Sequence, residues 1–319
     1  MPGRVVYFNG ELVTENEARV SIFDSALMFG DMAFEMTRTY NGKTFKLREH
    51  LERLYGSLRL MEIDCGMTID EMEELSEEIL EKNKPTEADD VDWQIMHDVS
   101  RGVLGLYTTV VPAGPTVSIN CWPLITHMGS FAPTYDSGVN IVIPAQQTLP
   151  AHLVDPKAKT RSRLHYQMAN LQAARQGNGW PVLLDPDGFL SEGTGNNVFL
   201  VRNGKVYTPE PRNILLGVSR GVTLDLCQKI GIEAIETNLG RYEGLQADEI
   251  FVTGTTFALC HAASFEGQTI GDGNPGPVFQ KLMAAWQEEA GIDFVDQARD
   301  YGERLPAWVE NEKAALQTA

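Results

Sequence analysis

Lys159 is the residue whose type could support covalent chemistry with a carbonyl group. It lies in the segment Asp155-Pro-Lys-Ala-Lys-Thr-Arg-Ser-Arg-Leu164, close to Lys157, Arg161 and Arg163. A lysine that forms a Schiff base needs a depressed pKa, and neighbouring cations lower the pKa of an amine. The same pattern is typical of a solvated surface lysine, so the spacing alone leaves both interpretations open.

The carboxylate of Glu192 is a second candidate, because small residues surround it. The segment reads Leu190-Ser-Glu-Gly-Thr-Gly-Asn-Asn197, so the backbone can pack closely around the side chain. A buried carboxylate needs a cationic partner, and a protonated ring nitrogen of a cofactor could supply one. An exposed loop glutamate is the alternative.

Two small, hydroxyl-rich turns could bind an anion. Gly217-Val218-Ser219 leads into a predicted helix at about 220–230, and we predict Ser219 as its N-cap. A helix N-terminus presents free N–H groups and a partial positive charge, which suit a phosphate. Gly254-Thr255-Thr256 follows an apolar strand over 249–253. A capped helix and a plain connection are the alternatives.

Hairpins and amphipathic helices surround these candidates. The pairs Asn9-Gly10, Asn41-Gly42 and Asn203-Gly204 each predict a hairpin turn. Apolar residues at steps of three and four predict a helix from Leu47 to Met61. Further helices are predicted at 69–82 and about 162–176, and further strands at 93–99, 116–121 and 139–144. This mixture predicts an α+β or mixed α/β fold, and no GxGxxG motif points to a Rossmann site.

Length and composition predict two lobes. The chain has 319 residues, more than the roughly 100–200 residues of a usual domain. The segment 126–138 contains glycine and proline, as is typical of a linker. We therefore predict a small N-terminal α/β lobe over 1–128, a linker over 129–138, a large C-terminal lobe over 139–293 and a peripheral tail over 294–319.

Charge and cysteine content limit the partners and the compartment. The net charge of −18 disfavours nucleic acids and anionic membranes, which would repel the chain. No signal peptide and no apolar run of about 18 residues is evident, so we expect no membrane span. The four cysteines form no CxxC pair and the six histidines show no ligand spacing. We expect a cytoplasmic protein with reduced thiols and no metal site.

Four segments together resemble the class IV aminotransferases, which are fold-type IV pyridoxal-phosphate enzymes. The segments are Asp24-Ser-Ala-Leu-Met-Phe-Gly-Asp-Met-Ala-Phe-Glu35 with His50-Leu-Glu-Arg53, Lys159-Thr-Arg-Ser-Arg-Leu164 through Arg175, Asp187-Gly-Phe-Leu-Ser-Glu-Gly-Thr-Gly-Asn-Asn-Val-Phe199, and Leu216-Gly-Val-Ser-Arg220 with Gly254-Thr255. The resemblance covers about residues 3–290. It implies a two-lobed fold like that of D-amino acid aminotransferase, pyridoxal 5′-phosphate as cofactor, and a homodimer.

The resemblance also implies roles for individual residues. Lys159 would be the Schiff-base lysine, with Lys157 as a nearby competitor, and Glu192 would pair with the pyridinium nitrogen. Arg53 would hold the phosphate as a charge-assisted fork. The remaining cofactor contacts would come from Leu215, Val218, Ser219, Thr255 and Thr256.

The substrate side departs from every branch of the family. Branched-chain enzymes often have a tyrosine five residues after the lysine, where this chain has Leu164. The Arg-x-His clamp of the D-amino acid enzymes has no clear match, and the lyase branch has a threonine where this chain has Met36. Arg38 and Arg101 are the candidate carboxylate binders, although Arg38 could equally serve structure. The other substrate-side candidates, each of which could equally be core, are Phe29, Phe34, Met36, Tyr107 and Phe257.

Transamination by a ping-pong mechanism is the predicted activity. It would transfer an amino group from an L-amino acid, a D-amino acid or an (R)-amine to a 2-oxo acid. The alternatives are a pyruvate-releasing lyase of the aminodeoxychorismate type and a non-catalytic binding protein on the same fold. Joint retention of Lys159, Glu192 and Arg53 argues against the binding protein.

Overall fold

The chain forms two compact units in a computed structural model that describes residues 3–109, 113–177 and 179–318. Unit 1 contains the described residues up to Ser130, Ala158–Arg163 and those from Gln297 onward, and unit 2 contains Phe131–Lys157 and Leu164–Asp296. This grouping differs from the predicted succession of lobes. The segment around Lys159 belongs to unit 1 because its backbone hydrogen-bonds to residues 32–34.

Unit 1 is built on a six-stranded antiparallel sheet with the order β2-β1-β6-β5-β3-β4. Its strands are β1 Val5–Phe8, β2 Glu11–Thr14, β3 Met32–Tyr40, β4 Lys43–Thr44, β5 Trp93–Ser100 and β6 Thr116–Pro123. Its helices include α1 Ser25–Phe29, α2 Leu47–Leu60 and α3 Ile69–Asn83, with short 3-10 turns at Lys84–Thr86 and Gly105–Tyr107. The predicted hairpins at Asn9 and Asn41 are confirmed, and both asparagines adopt positive φ.

The core of unit 1 lies between the sheet and the helices α2 and α3. The predicted stripe of α2 is confirmed, because Leu51, Leu54 and Leu58 are all buried. The acidic helix α3 is also confirmed. It begins with a capping box formed by Thr68 and Glu71 and ends before Pro85. Its buried face packs on strands β1, β5 and β6.

Unit 2 contains a nine-stranded mixed sheet. Its strands are β7 Val139–Val142, β8 Trp180–Leu184, β9 Leu190–Gly193, β10 Asn197–Arg202, β11 Lys205–Pro209, β12 Ala234–Thr237, β13 Glu249–Gly254, β14 Ala258–Phe265 and β15 Gln268–Thr269. The sheet order is β12-β11-β10-β13-β14-β7-β8-β9, and β9 also pairs with β10. This extra pairing closes a ring of six strands and places Glu192 of β9 opposite Asn197 of β10. The predicted hairpin at Asn203-Gly204 is confirmed.

The remaining helices are α4 Ile125–Ser137, α5 Leu164–Arg175, α6 Val218–Lys229, α7 Arg241–Leu245, α8 Pro277–Ala290 and α9 Phe294–Thr318. Helix α4 occupies the segment that composition predicted as a linker. It is stabilised by burial of Met128, Ala132 and Tyr135 along one face. Gly129, which suggested flexibility, instead allows close packing, because a Cβ there would lie 2.8 Å from the Tyr301 carbonyl oxygen.

The C-terminal helix α9 is more integrated than a peripheral tail. Phe294, Ala298 and Tyr301 are buried at intervals of three and four residues. The Tyr301 hydroxyl accepts a hydrogen bond from the Asp92 amide at 2.8 Å and donates one to the Asp90 carbonyl at 3.1 Å. No helix among the described residues combines the length and the apolar character that a bilayer crossing requires.

Candidate active site

Lys159 lies in an extended segment that pairs with strand β3. The Phe34 amide donates to the Lys159 carbonyl at 3.0 Å, the Arg161 amide donates to the Met32 carbonyl at 2.8 Å, and Thr160 bridges to Ala33. Side chains alternate along extended backbone, so Lys159 and Arg161 project to one face and the buried Thr160 to the other. The Lys159 amide also donates to the Ser57 hydroxyl of α2 at 3.1 Å. The lysine is therefore held on a rigid scaffold, with Nζ 4.8 Å from the centroid of the Phe34 ring.

Lys157, the competing lysine, has a different environment. Its side chain is 43% exposed and forms an ion pair with Asp155 at 3.5 Å. This geometry is that of a solvated surface charge. Lys159 is only half-buried rather than exposed, which favours it as the reactive amine.

A buried ionic cluster lies on the opposite face of β3 from Phe34. Glu35 is fully buried and accepts hydrogen bonds from Arg53 Nε at 2.7 Å and Arg53 Nη2 at 2.8 Å. Its Oε2 also lies 2.8 Å from His50 Nδ1. Burial alone would raise the pKa of the Glu35 carboxyl, but Arg53 and His50 outweigh it and hold that pKa well below its usual range. Glu35 is thus an anion that fixes the edge of the Arg53 guanidinium.

Burial disfavours the charged form of the histidines near this cluster. Burial lowers the pKa of His50, although Glu35 opposes the shift. Burial lowers the pKa of His97 to about 4. His97 Nε2 lies 2.7 Å from the Ser76 hydroxyl, which also donates to the Met72 carbonyl at 2.6 Å. The positive charge beside Glu35 therefore comes from Arg53.

In unit 2, Glu192 is buried within a cage of hydrogen-bond donors. The Tyr166 hydroxyl donates to Oε1 at 2.6 Å, the Leu215 amide donates to Oε2 at 2.8 Å, and Asn197 Nδ2 approaches Oε2 at 3.4 Å. Glu192 is only 4% exposed, which excludes the exposed-loop alternative. Such a cage stabilises a charged carboxylate.

The turn before helix α6 is shaped by Asn197. Asn197 Nδ2 donates to the Leu215 carbonyl at 3.1 Å. A Cβ on Gly217 would lie 2.2 Å from Asn197 Oδ1, so only glycine allows the Asn197 side chain to come this close to the backbone at position 217. Gly217 is the N-cap of α6 and makes no side-chain cap hydrogen bond.

The prediction of Ser219 as the N-cap is wrong. Ser219 is the second residue of α6, and its carbonyl accepts from the Thr223 hydroxyl at 2.8 Å. The helix starts earlier because Gly217 already has the extended dihedral angles of a cap, with φ −61° and ψ 134°. Val218 and Ser219 consequently form the first turn, where amide groups lack intrahelical acceptors and suit a phosphate.

The second predicted turn connects β13 to β14. Thr255 and Thr256 are half-buried there, and Phe257 is 8% exposed. The Phe257 ring stacks on Phe131 with centroids 5.0 Å apart and meets Trp180 edge-on at 5.6 Å. Phe257 also lines a cleft of about 430 Å³ within unit 2. A packing role and a ligand-facing role are therefore compatible for this residue.

The two arginines predicted to bind a carboxylate are both engaged by protein groups. Arg38 is fully buried and donates to the Thr39 carbonyl at 3.0 Å and to Gln297 Oε1 at 2.9 Å, which favours the structural alternative. Arg101 forms an ion pair with Asp31 at 2.7 Å and donates to the carbonyls of Met61 and Glu62 at 2.7 and 3.0 Å.

The other substrate-side candidates fall into two groups. Phe34 and Met36 alternate with Glu35 along β3, so they share the face of Lys159. Phe29 ends helix α1 and is 69% exposed, and Tyr107 stacks on Phe23 at 4.7 Å. The structure places the Phe34 ring beside Lys159, with Met36 on the same face of the sheet, and Phe29 adjoins the same segment through its carbonyl, which accepts from the Ser162 hydroxyl at 3.0 Å.

Several residues in these environments escaped the sequence analysis. Tyr166, Asn197 and Glu35 contact the candidate groups directly, but none received a role. All three stood within the resembling segments, which was a usable signal. Nothing in the local sequence of Tyr166 pointed to its partner Glu192, which is 26 residues away.

Comparison with known proteins identifies the family. The sequence model of amino-transferase class IV matches residues 32–265. The chain is 33% identical to a putative branched-chain-amino-acid aminotransferase of Methanocaldococcus jannaschii, covering 92% of this chain and 99% of that one. It is 30% identical to the D-alanine aminotransferase of Bacillus licheniformis, covering 88% and 95% respectively.

Solved structures agree with the sequence comparison. The branched-chain amino acid aminotransferase of Escherichia coli superposes with a TM-score of 0.82 at 27% identity, covering 90% of this chain and 94% of that one. This likeness confirms the predicted α+β architecture of fold-type IV. The chain belongs to the class IV aminotransferase family and is a pyridoxal-phosphate-dependent aminotransferase.

Proposed function

We propose that Lys159 is the catalytic lysine of this aminotransferase. The observation that carries the proposal is its placement, with its backbone tied to β3 and α2 and its amine beside Phe34. Bound pyridoxal phosphate supplies a ring that withdraws electrons from the substrate's α-carbon. Lys159 Nζ would take the proton from that carbon and deliver it to the cofactor carbon that bears the amino group, acting as base and as acid. Water would then release the 2-oxo acid and leave the amino group with the cofactor, and a second 2-oxo acid would accept it by the reverse path, so we expect ping-pong kinetics.

The described residues offer groups that fit this cofactor. Glu192 is a buried carboxylate held by three donors, and its negative charge suits a cationic ring nitrogen. The uncapped first turn of α6, with Val218 and Ser219, suits a phosphate, and so do the hydroxyls of Thr255 and Thr256. We assign Glu192 to the ring nitrogen, Leu215 to a ring face, and these turns to the phosphate.

Arg53 completes the proposed phosphate contacts. Glu35 accepts hydrogen bonds from Nε and Nη2, which fixes one edge of the guanidinium. A guanidinium that is already fixed along one edge loses little conformational entropy when it binds an anion. Arg53 is therefore proposed to bind the phosphate as a pre-oriented donor.

The amino donor is proposed to be an amino acid. The relatives above are named as aminotransferases of branched-chain amino acids, in one case as a putative one, or of D-alanine, and both kinds of donor carry an α-carboxylate. Phe34 and Met36 give the face around Lys159 an apolar character, which suits an apolar donor side chain. The stereochemistry of the donor follows from the experiment below.

A homodimer in the cytoplasm is proposed as the working form. Leu164, Met168 and Leu171 form one face of helix α5 and are 75%, 45% and 42% exposed. A stripe of large apolar side chains is typical of a protein interface. All four cysteines are free and buried, as is usual in a reducing compartment.

Absorption spectroscopy tests the proposed role of Lys159. Wild type, Lys159→Ala and the matched control Lys157→Ala are loaded with pyridoxal phosphate and mixed with L- and D-amino acids and (R)-amines, without an acceptor. Wild type and Lys157→Ala should lose the visible band with a true donor, and Lys159→Ala should not. Full conversion by Lys159→Ala would refute the assignment. Pyruvate release with a lasting visible band would instead indicate a lyase.

A further inference from the structure

Three cations surround the Phe34 ring on the face of Lys159. Lys159 Nζ lies 4.8 Å from the ring centroid, Arg161 Cζ 3.8 Å, and Arg163 Cζ 5.5 Å. Cations within about 6 Å of a ring centroid interact favourably with its π face. Lys159 Nζ and Arg161 Cζ therefore both lie within 5 Å of one ring centroid, on the same face of the sheet.

Arg161 is oriented by the neighbouring strand β5. Its Nε and Nη2 donate to Asp98 Oδ1 at 3.0 and 2.8 Å, and Nη2 also contacts Met96 Sδ at 2.9 Å. Met96 and Asp98 alternate along β5 and pair with Met36 and Phe34 of β3. The guanidinium is therefore fixed along one edge on the same face of the sheet as Lys159.

The outer end of Arg161 is available to a ligand. Nη1 makes no hydrogen bond to any residue in the described ranges, and the side chain is 37% exposed. Asp98 offsets one positive charge, but Lys159 and Arg163 keep the surroundings of the ring positive. An arginine held on one edge presents its remaining donors in a fixed geometry, which suits a planar carboxylate.

The other two arginines considered as carboxylate binders already form hydrogen bonds or ion pairs with protein groups. Arg38 is buried against Gln297, and Arg101 ties Asp31 to the end of helix α2. Arg161 differs from both, because it combines an open end with a place beside the proposed catalytic lysine.

We propose that Arg161 binds the α-carboxylate of the amino donor, and of the 2-oxo acid acceptor, through its Nη1 end. The inference rests on the proposed role of Lys159. The carboxylate lies one bond from the carbon that loses the proton, so its anchor must lie near the lysine. Asp98 acts as the positioning residue, because it orients the guanidinium without reaching the substrate.

Single-turnover kinetics test this inference. The loss of the visible band is followed against the concentration of the best amino acid donor for wild type, Arg161→Gln, Arg161→Lys and the control Arg48→Gln. Arg48 is a matched surface arginine, 42% exposed and paired with Asp70 and Glu73. Circular dichroism and the visible band before mixing confirm that each variant is folded and loaded.

The expected result is a change in substrate binding alone. A hydrogen bond to a charged group corresponds to about 10- to 100-fold in affinity, so Arg161→Gln should raise the half-saturating concentration by that factor. Its maximum rate should change little, Arg161→Lys should be intermediate, and Arg48→Gln should match wild type. An unchanged half-saturating concentration in Arg161→Gln, or a loss confined to the maximum rate, would overturn the inference. Conversion of the donor by Lys159→Ala would instead refute the proposed role of Lys159, which is a separate outcome from the failure of the inference about Arg161.

Discussion

Replacement of Glu35 by glutamine tests whether the buried ion pair organises unit 1. Glu35→Gln keeps the shape of the side chain but removes the charge that faces Arg53 and His50. Two charge-assisted hydrogen bonds at 2.7 and 2.8 Å are weakened together. Arg53 is only 12% exposed, so its charge is left with little solvent.

The magnitude follows from this burial. Removing one partner of a buried ion pair costs about 3–5 kcal/mol, because the remaining charge is uncompensated. Total stabilities are about 5–15 kcal/mol, so the loss should be large and measurable. We expect Glu35→Gln to lower the free energy of unfolding by about 3 kcal/mol in urea at pH 7.5. A loosened Arg53 should also weaken pyridoxal-phosphate affinity by about tenfold.

Glu233→Gln is the matched control. Glu233 pairs with Lys205 at 2.7 Å, and the two side chains are 57% and 46% exposed, so water can replace either partner, and an exposed pair contributes at most about 1 kcal/mol. Urea unfolding of the cofactor-free proteins and titration of the visible band provide the two measurements. If Glu35→Gln costs no more than Glu233→Gln, the reasoning about the buried cluster is wrong.

Two further predictions concern the glycine turn and the buried histidine. Gly217→Ala should weaken pyridoxal-phosphate affinity, because the added Cβ would lie 2.2 Å from Asn197 Oδ1. Its control is Gly221→Ala, which has open space around it and should stabilise α6 by about 0.5–1 kcal/mol without affecting cofactor affinity. Equal cofactor affinities in the two variants would contradict this account. His97 has a pKa of about 4 in the folded chain and about 6.5 when unfolded, so the unfolded state binds the proton first. Its stability contribution is complete above about pH 6.5 and is lost as the pH falls towards 4, by about 3 kcal/mol. Urea midpoints for wild type should fall more steeply over this range than those of His97→Gln, and parallel profiles would count against the assignment.

Local chemistry explains which elements the sequence predicted well. Asn9-Gly10 and Asn41-Gly42 specify hairpins because both residues of each pair tolerate positive φ. Helix α2 followed from its leucine spacing, and α3 from its acidic composition and the stop near Pro85. Each of these signals lies within a few residues of the element it predicts, so no tertiary information was needed.

Tertiary packing explains where the predictions differ from the structure. Composition made residues 126–138 resemble a linker, but Met128 and Ala132 bury one face of a helix there. Ser219 matched the preference for an N-cap, yet the approach of Asn197 to Gly217 starts α6 two residues earlier. In both cases the deciding contact comes from residues remote in sequence.

In the candidate site, too, local sequence was informative only where no contact with residues remote in sequence was needed. Lys159 and Glu192 emerged from the resemblance to a family, since their local sequence allowed a surface lysine and a loop glutamate equally well. Arg161 supported the surface interpretation of its neighbour, because a run of cations is usually solvated. Its partner Asp98 is 63 residues away, and only the pairing of β3 with β5 places that carboxylate beside it.

The two faces of strand β3 carry different kinds of residue: one face carries the buried ion pair and the other the side chains beside Lys159. Glu35 projects towards α2, where it fixes Arg53 and is fully buried. Phe34 and Met36 project to the other face, beside Lys159 and Arg161. A shift of one residue in the pairing of β3 would exchange these sets, placing a carboxylate beside the lysine and an aromatic ring beside Arg53. The antiparallel register of Phe34 with Asp98 and of Glu35 with His97 therefore determines the chemistry of unit 1 as much as the identity of its charged residues does.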